Sequence, residues 1–137
     1  MPVRDATPDD VAGIASVGSI GTRAGERLIR ERTVRVTVSS QDGSVSGFVS
    51  FDVDGGVVHI THLAGREEIL PRLLEEPLTF AARTGATLET VIPVDEQPVI
   101  TALRQAGFRK VGPGPPFEGR ETRRYRRCPP DDEVEDR

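Results

Sequence analysis

The sequence predicts one mixed α/β (α+β) domain with the element order β-α-α-β-β-β-α-β-α-β-β. Three observations carry this. Apolar residues alternate with polar ones across 34–63, as half-buried strands require. At Leu70 the period lengthens to about 3.6 residues, the period of a helix with one buried face. The chain has 137 residues, 36% hydrophobic and 29% charged, a size and composition that suit a single globular domain.

The elements follow in order. Val3 to Ala6 reads as a short strand. Thr7-Pro8-Asp9-Asp10 then opens a helix, with Thr7 as N-cap, Pro8 at the first helical position and Asp10 at the capping-box position. Val11, Ile14 and Ala15 form its apolar face, and Gly18 and Gly21 interrupt it. A more polar helix runs from Arg23 to about Arg32, with Glu26 and Arg30 at i, i+4. Val34, Val36 and Val38 make a strand, and Asp42-Gly43 turns the chain. Val45 to Val53 returns as a strand with Phe48 and Phe51 on opposite faces and Gly47 as a bulge position. Asp54-Gly55-Gly56 turns again into Val57 to Leu63. The stripe Leu70, Leu73, Leu74, Leu78 and Ala81 marks a helix, with Pro71 in its first turn, a kink or break predicted at Pro77, and Gly85 as its cap. Leu88 to Ile92 is a strand, Asp95 to Ala106 a helix, Phe108 to Val111 a strand, and Glu121 to Arg127 the last strand.

Charge is unevenly placed. The formal net charge is −4, and the segment Asp131–Arg137, with five acids and one Arg, also sums to −4. Residues 128–137 are therefore expected to form an acidic, disordered tail on a domain spanning 1–127. Arg120 to Arg127 carries five Arg against Glu121, a local +4 that the tail could screen. Such a strand has the charges to contact phosphates, but a pI near 5.2 and the adjoining acids weigh against nucleic acid as a partner. No apolar run is long enough for a membrane span, and the N-terminus lacks the apolar core of a secretory signal. Cys128 is the single cysteine, so no internal disulfide can form, and the cytoplasm is the expected compartment. No Cys/His spacing suits a metal, so no metal is expected.

The opening Val3-Arg4-Asp5-Ala6-Thr7-Pro8-Asp9-Asp10, the segment from Leu73-Leu74-Glu75 to Arg83-Thr84-Gly85-Ala86, and Val99 to Phe108 with its Ala106-Gly107-Phe108 ending resemble the GNAT superfamily of acyl-CoA-dependent N-acyltransferases. The resemblance spans about Val3 to Arg127. It implies a twisted, mostly antiparallel sheet of about seven strands with helices on both faces. It also implies acetyl-CoA as cofactor and a small-molecule or peptide amine as acceptor. The cofactor site it implies is the turn Leu63, Ala64, Gly65, Arg66, with Leu63 and Ala64 on the pantetheine and Gly65 and Arg66 on the phosphates. A helix start offers amide donors and a favourable dipole to such an anion. That turn is about five residues shorter than the family pattern, keeps one glycine, and is followed by Glu67 and Glu68. Leu103 stands where the family's proton-donating Tyr falls.

Two candidate bases lie near this turn, His62 on the fourth strand and Glu89 on the fifth. His59 and His62 differ by three and are expected to face opposite sides of the strand. A second reading keeps the fold as a binding or homodimerisation module in which the cofactor turn has degenerated and no acyl-CoA is turned over.

Overall fold

The computed structural model describes residues 2–129. The predicted alternation folds as a meander of β2 (Thr33–Val38), β3 (Val45–Asp54) and β4 (Val57–Gly65), with β1 (Val3–Asp5) on its outer edge. β5 (Thr87–Pro93), β6 (Arg109–Pro113) and β7 (Thr122–Arg127) complete one seven-stranded sheet of order β1-β2-β3-β4-β5-β7-β6. Every pairing is antiparallel except β4 with β5. The helices are α1 (Val11–Gly18), α2 (Thr22–Glu31), α3 (Leu70–Thr84) and α4 (Gln97–Gln105). The element order and the mostly antiparallel sheet agree with the sequence reading. The segment from 130 onward, where the acidic tail was expected, lies outside the described residues.

Strand alternation sends side chains to two cores. Phe48, Val34 and Val36 point to one face and meet Ile14 of α1 and Leu28 of α2. Val49, Phe51, Val58 and Ile60 point to the other and meet Leu70, Leu73 and Leu74 of α3 and Leu103 of α4. Burying one such Leu or Phe side chain contributes about 1.5–3 kcal/mol. The break predicted at Pro77 does not occur. α3 runs unbroken to Thr84 with Pro77 buried on its inner face, so tertiary packing outweighs the one backbone bond a proline removes. Gly85 caps it in the left-handed conformation, as the sequence suggested.

Asp10 ties the first strand to the first helix. Arg4 donates from both terminal nitrogens to its carboxylate at 2.9 and 3.0 Å, and the Thr7 N–H donates at 2.8 Å. The Arg4 hydrogen bond is the main reason the Asp10 carboxyl titrates below the usual carboxylate range.

Gly47 and Gly65 are register partners on β3 and β4. They make a shallow floor on which Ile69, just before α3, rests. A Cβ at Gly65 would lie 2.8 Å from Ile69 Cδ1 and 3.1 Å from both Gly47 Cα and the Ser46 carbonyl oxygen, and its φ of +145° disfavours any side chain. Gly65→Ala is expected to cost about 1–3 kcal/mol, read as a lower urea midpoint with an unchanged m value.

Candidate active site

β4 and β5 pair over only four residues each, Val57–Ile60 with Thr87–Thr90. The Thr90 hydroxyl donates to the Ile60 carbonyl at 2.9 Å where the pairing ends. Beyond that point β4 continues to Gly65, held by β3, and β5 continues to Pro93, held by β7. The two strands leave a gap in the sheet, bordered by strand edges whose N–H and C=O groups face no neighbouring strand.

A β-bulge accompanies the split. Ser50 pairs with His62 and Phe51 with Ile60, so Thr61 is one residue too many on β4. This overturns the expectation that His59 and His62 face opposite ways. Asp52 pairs with His59 and Ser50 with His62. Asp52 and Ser50 are two apart on a regular strand, so both histidines lie on the α1–α2 face. The extra residue shifts the alternation by one.

His62 is half-buried in this bulge. Its ring stacks on Phe48, with centroids 6.1 Å apart and planes at 29°. Nδ1 lies 3.1 Å from Ser50 Oγ, which lies 2.6 Å from Thr61 Oγ1. The Thr61 hydroxyl donates to the Ser50 carbonyl at 3.2 Å. Burial, and then the Arg32 cation at the end of α2, push the imidazole below its ordinary value. His62 is therefore neutral at pH 7. Arg32 is itself ion-paired to Asp52. Ser50 and Thr61 were not singled out from sequence.

The turn read as Leu63–Arg66 is mostly strand. Leu63, Ala64 and Gly65 pair with Val49, Phe48 and Gly47, and a 3₁₀ turn, Glu67–Ile69, follows Arg66 directly. α3 begins at Leu70, one residue earlier than a start at Pro71 would place it. Arg66 alone lies outside regular structure here. Leu63 packs on the α3–α4 core, and Ala64 on the α1–α2 core. Arg66 is exposed and ion-paired to Glu68 at 3.3 Å. The Ile69 N–H donates to Arg66 O, and Pro71 has no N–H to offer. The amides of Glu67 and Glu68, at the first positions of the turn, have no acceptor within it. A cleft of about 290 Å³ opens beside them, lined by Glu67 and Pro71 and by Gln97, Pro98, Thr101 and Gln105 of α4. The α4 residues were missed from sequence. Their signal was a stripe of short uncharged polar residues, Gln97-Thr101-Gln105, at i, i+4, i+8.

The remaining candidates are engaged elsewhere. Glu89 does not face solvent freely: it is half-buried and accepts from Arg126 at 2.8 and 2.9 Å. Tyr125 and Leu103 are buried in the α3–α4 core at 2% and 0% exposure, and Leu103 has no proton to donate. The arginines of β7 and of the residues just before it are largely spent within the fold. Arg123 pairs with Glu121, Arg120 with Asp95, and Arg127 donates to the Ala106 carbonyl. Cys128 is exposed. Among the described residues no group of His, Cys, Asp or Glu is arranged to hold a metal ion, and no helix is long and apolar enough to cross a membrane.

No protein-family model and no curated protein sequence matches the chain. Solved structures do. Ard1 from Thermoplasma volcanium superposes with a TM-score of 0.78 at 16% identity, covering 93% of this chain and 97% of that one. A Desulfovibrio desulfuricans acetyltransferase described as GNAT family gives 0.74 at 15% identity, over 93% and 98%. The chain has the GNAT fold. The ribosomal-protein-S18-alanine N-acetyltransferase from Escherichia coli adds a TM-score of 0.76 at 14% identity, over 93% and 92%. In this GNAT fold the split between β4 and β5 opens on both faces of the sheet. The α3 start and its cleft lie on one side, and His62 on the other.

Proposed function

We propose that the chain is an acyl-CoA-dependent N-acyltransferase, with acetyl-CoA as donor and a small-molecule or peptide amine as acceptor. The observation that carries this reading is the gap between β4 and β5. It lies between a helix start, whose first amides are free to donate to an anion, and a neutral imidazole on the opposite face. An extended pantetheine arm can add to the free edge of β4 at Leu63 and Ala64 as a strand would, amide to amide. The phosphates then fall by Gly65, Arg66 and the amides at the start of the 3₁₀ turn. Arg66 can leave Glu68 for a phosphate, which offsets the two acids there.

An amine approaching from the α1–α2 face attacks the thioester carbonyl. A C–N bond forms, the C–S bond breaks, and His62 takes the amine proton. Leu103 cannot protonate the departing thiolate, so that proton comes from the His62 imidazolium or from water. One cysteine and no disulfide suit the reducing cytoplasm, which is the compartment we propose. Calorimetric titration with acetyl-CoA is expected to give a micromolar Kd. The absence of heat at millimolar ligand would overturn the assignment.

A second reading is favoured by buried Leu103 and by Glu67 and Glu68 beside the phosphate position: a module that binds or dimerises without turnover. It predicts acetyl-CoA that is either unbound or bound and never hydrolysed or transferred across an amine panel.

A further inference from the structure

Ser50 and Thr61 form a short hydrogen-bonded chain that ends on His62. Three contacts link them: Thr61 Oγ1 to the Ser50 carbonyl at 3.2 Å, Ser50 Oγ to Thr61 Oγ1 at 2.6 Å, and His62 Nδ1 to Ser50 Oγ at 3.1 Å. A carbonyl only accepts. If all three contacts are hydrogen bonds, the Thr61 hydrogen goes to that carbonyl. The Ser50 hydrogen must then go to Thr61 Oγ1. Ser50 Oγ is left only to accept, and Nδ1 must carry the hydrogen that reaches it. The reverse assignment, with Ser50 donating to Nδ1, leaves the 3.2 Å contact without a hydrogen.

We propose that Ser50 and Thr61 are positioning residues that lock neutral His62 with its proton on Nδ1 and its lone pair on Nε2. This deepens the acyltransfer reading and rests on it for its use. Nε2 has no partner among the described residues. No buried side-chain nitrogen or oxygen there lacks a partner, so Nε2 is open to solvent. The ring is thus clamped on one edge and free on the other, as a base at the mouth of a gap requires. The charged and titratable groups that share its face include Arg32 at the end of α2, Asp52 and Asp54 from β3, His59 from β4, Glu89 from β5, and Arg124 and Arg126 from β7, with Arg126 paired to Glu89. α1 brings none. Arg32 disfavours a second proton on the ring.

The test is the nitrogen chemical shifts of the His62 ring in the intact chain above its pKa, without ligand. The wild type is expected to show the Nδ1–H form, although a free imidazole side chain prefers Nε2–H. Thr61→Val keeps its shape but loses the hydroxyl. It frees the Ser50 hydrogen for Nδ1 and is expected to flip His62 to Nε2–H without touching the ring. Ser50→Ala removes the clamp and gives the same flip, whereas Thr61→Ser restores Nδ1–H. In acyl transfer, Thr61→Val is expected to lower kcat at least tenfold with KM for acetyl-CoA unchanged. An Nε2–H wild type, or Thr61→Val that stays Nδ1–H, overturns the proposal. A wild type that is Nδ1–H but turns over no acyl-CoA overturns the acyltransfer reading instead, because the shifts are read without substrate.

Discussion

His62→Asn is expected to lower kcat/KM for acyl transfer by about 10²–10⁴-fold, the usual contribution of a positioned general base. The melting curve and acetyl-CoA affinity should stay close to wild type. Asparagine suits this test because its amide nitrogen falls near the position of Nδ1. It can still donate to Ser50 Oγ, so the bulge keeps its hydrogen bond while the lone pair at Nε2 is lost. The pH dependence supplies a second measurement. Burial and Arg32 lower the imidazole pKa, so the ring is unprotonated through neutral pH. The wild-type rate should fall only on the acid side of the ordinary value of about 6.5, and the variant should lack that limb. Stability follows the same linkage. Between the folded and unfolded pKa values the unfolded chain binds the extra proton, so wild-type stability falls as pH drops below about 6.5 until the folded pKa is reached. His62→Asn should flatten that window in acid titrations followed by circular dichroism. A variant with full kcat/KM would remove His62 from the chemistry.

Phe48→Ala is expected to destabilise the fold by about 3–5 kcal/mol, as truncation of a fully buried aromatic does when its surroundings relax only partly. Phe48 is 0% exposed at the centre of the α1–α2 core, among Ile14, Leu28, Val34 and Val36. It also carries the stacked ring of His62. Urea unfolding should therefore show a lower midpoint, and the surviving folded fraction should show His62 resonances broadened or shifted by loss of that neighbour. A loss under 1 kcal/mol would mean that this core collapses around the missing ring far better than its packing implies.

Much of the fold was legible because the periods were strong. Strand alternation and the stripe from Leu70 to Ala81 follow from burial on one face, which a sequence records directly. Even the bulge left a trace: Val58 and Ile60 are two apart, but the next residue on that core is Leu63, three further on. That change of phase is the mark of one extra residue. Counting three from His59 to His62 on an ideal strand put the two histidines on opposite faces, because it assumed an uninterrupted period of two. Ser50 was likewise readable as a polar residue inside Phe48-Val49-Ser50-Phe51, yet its partners lie on another strand and no local pattern names them.

Composition and periodicity by themselves determined the element order, the two-faced burial of β3 and the Gly85 cap of α3. Local sterics and apolar spacing suffice for these. The tertiary structure decided that Gly65 is a close-packing position under Ile69, that Glu89 is held by Arg126, and that β4 and β5 part after Ile60 and Thr90. It also decided that His62 meets Ser50 and Thr61 across the bulge. These depend on which strands become neighbours and where their register slips. That choice is made by the whole core at once, so no single stretch of the chain encodes it.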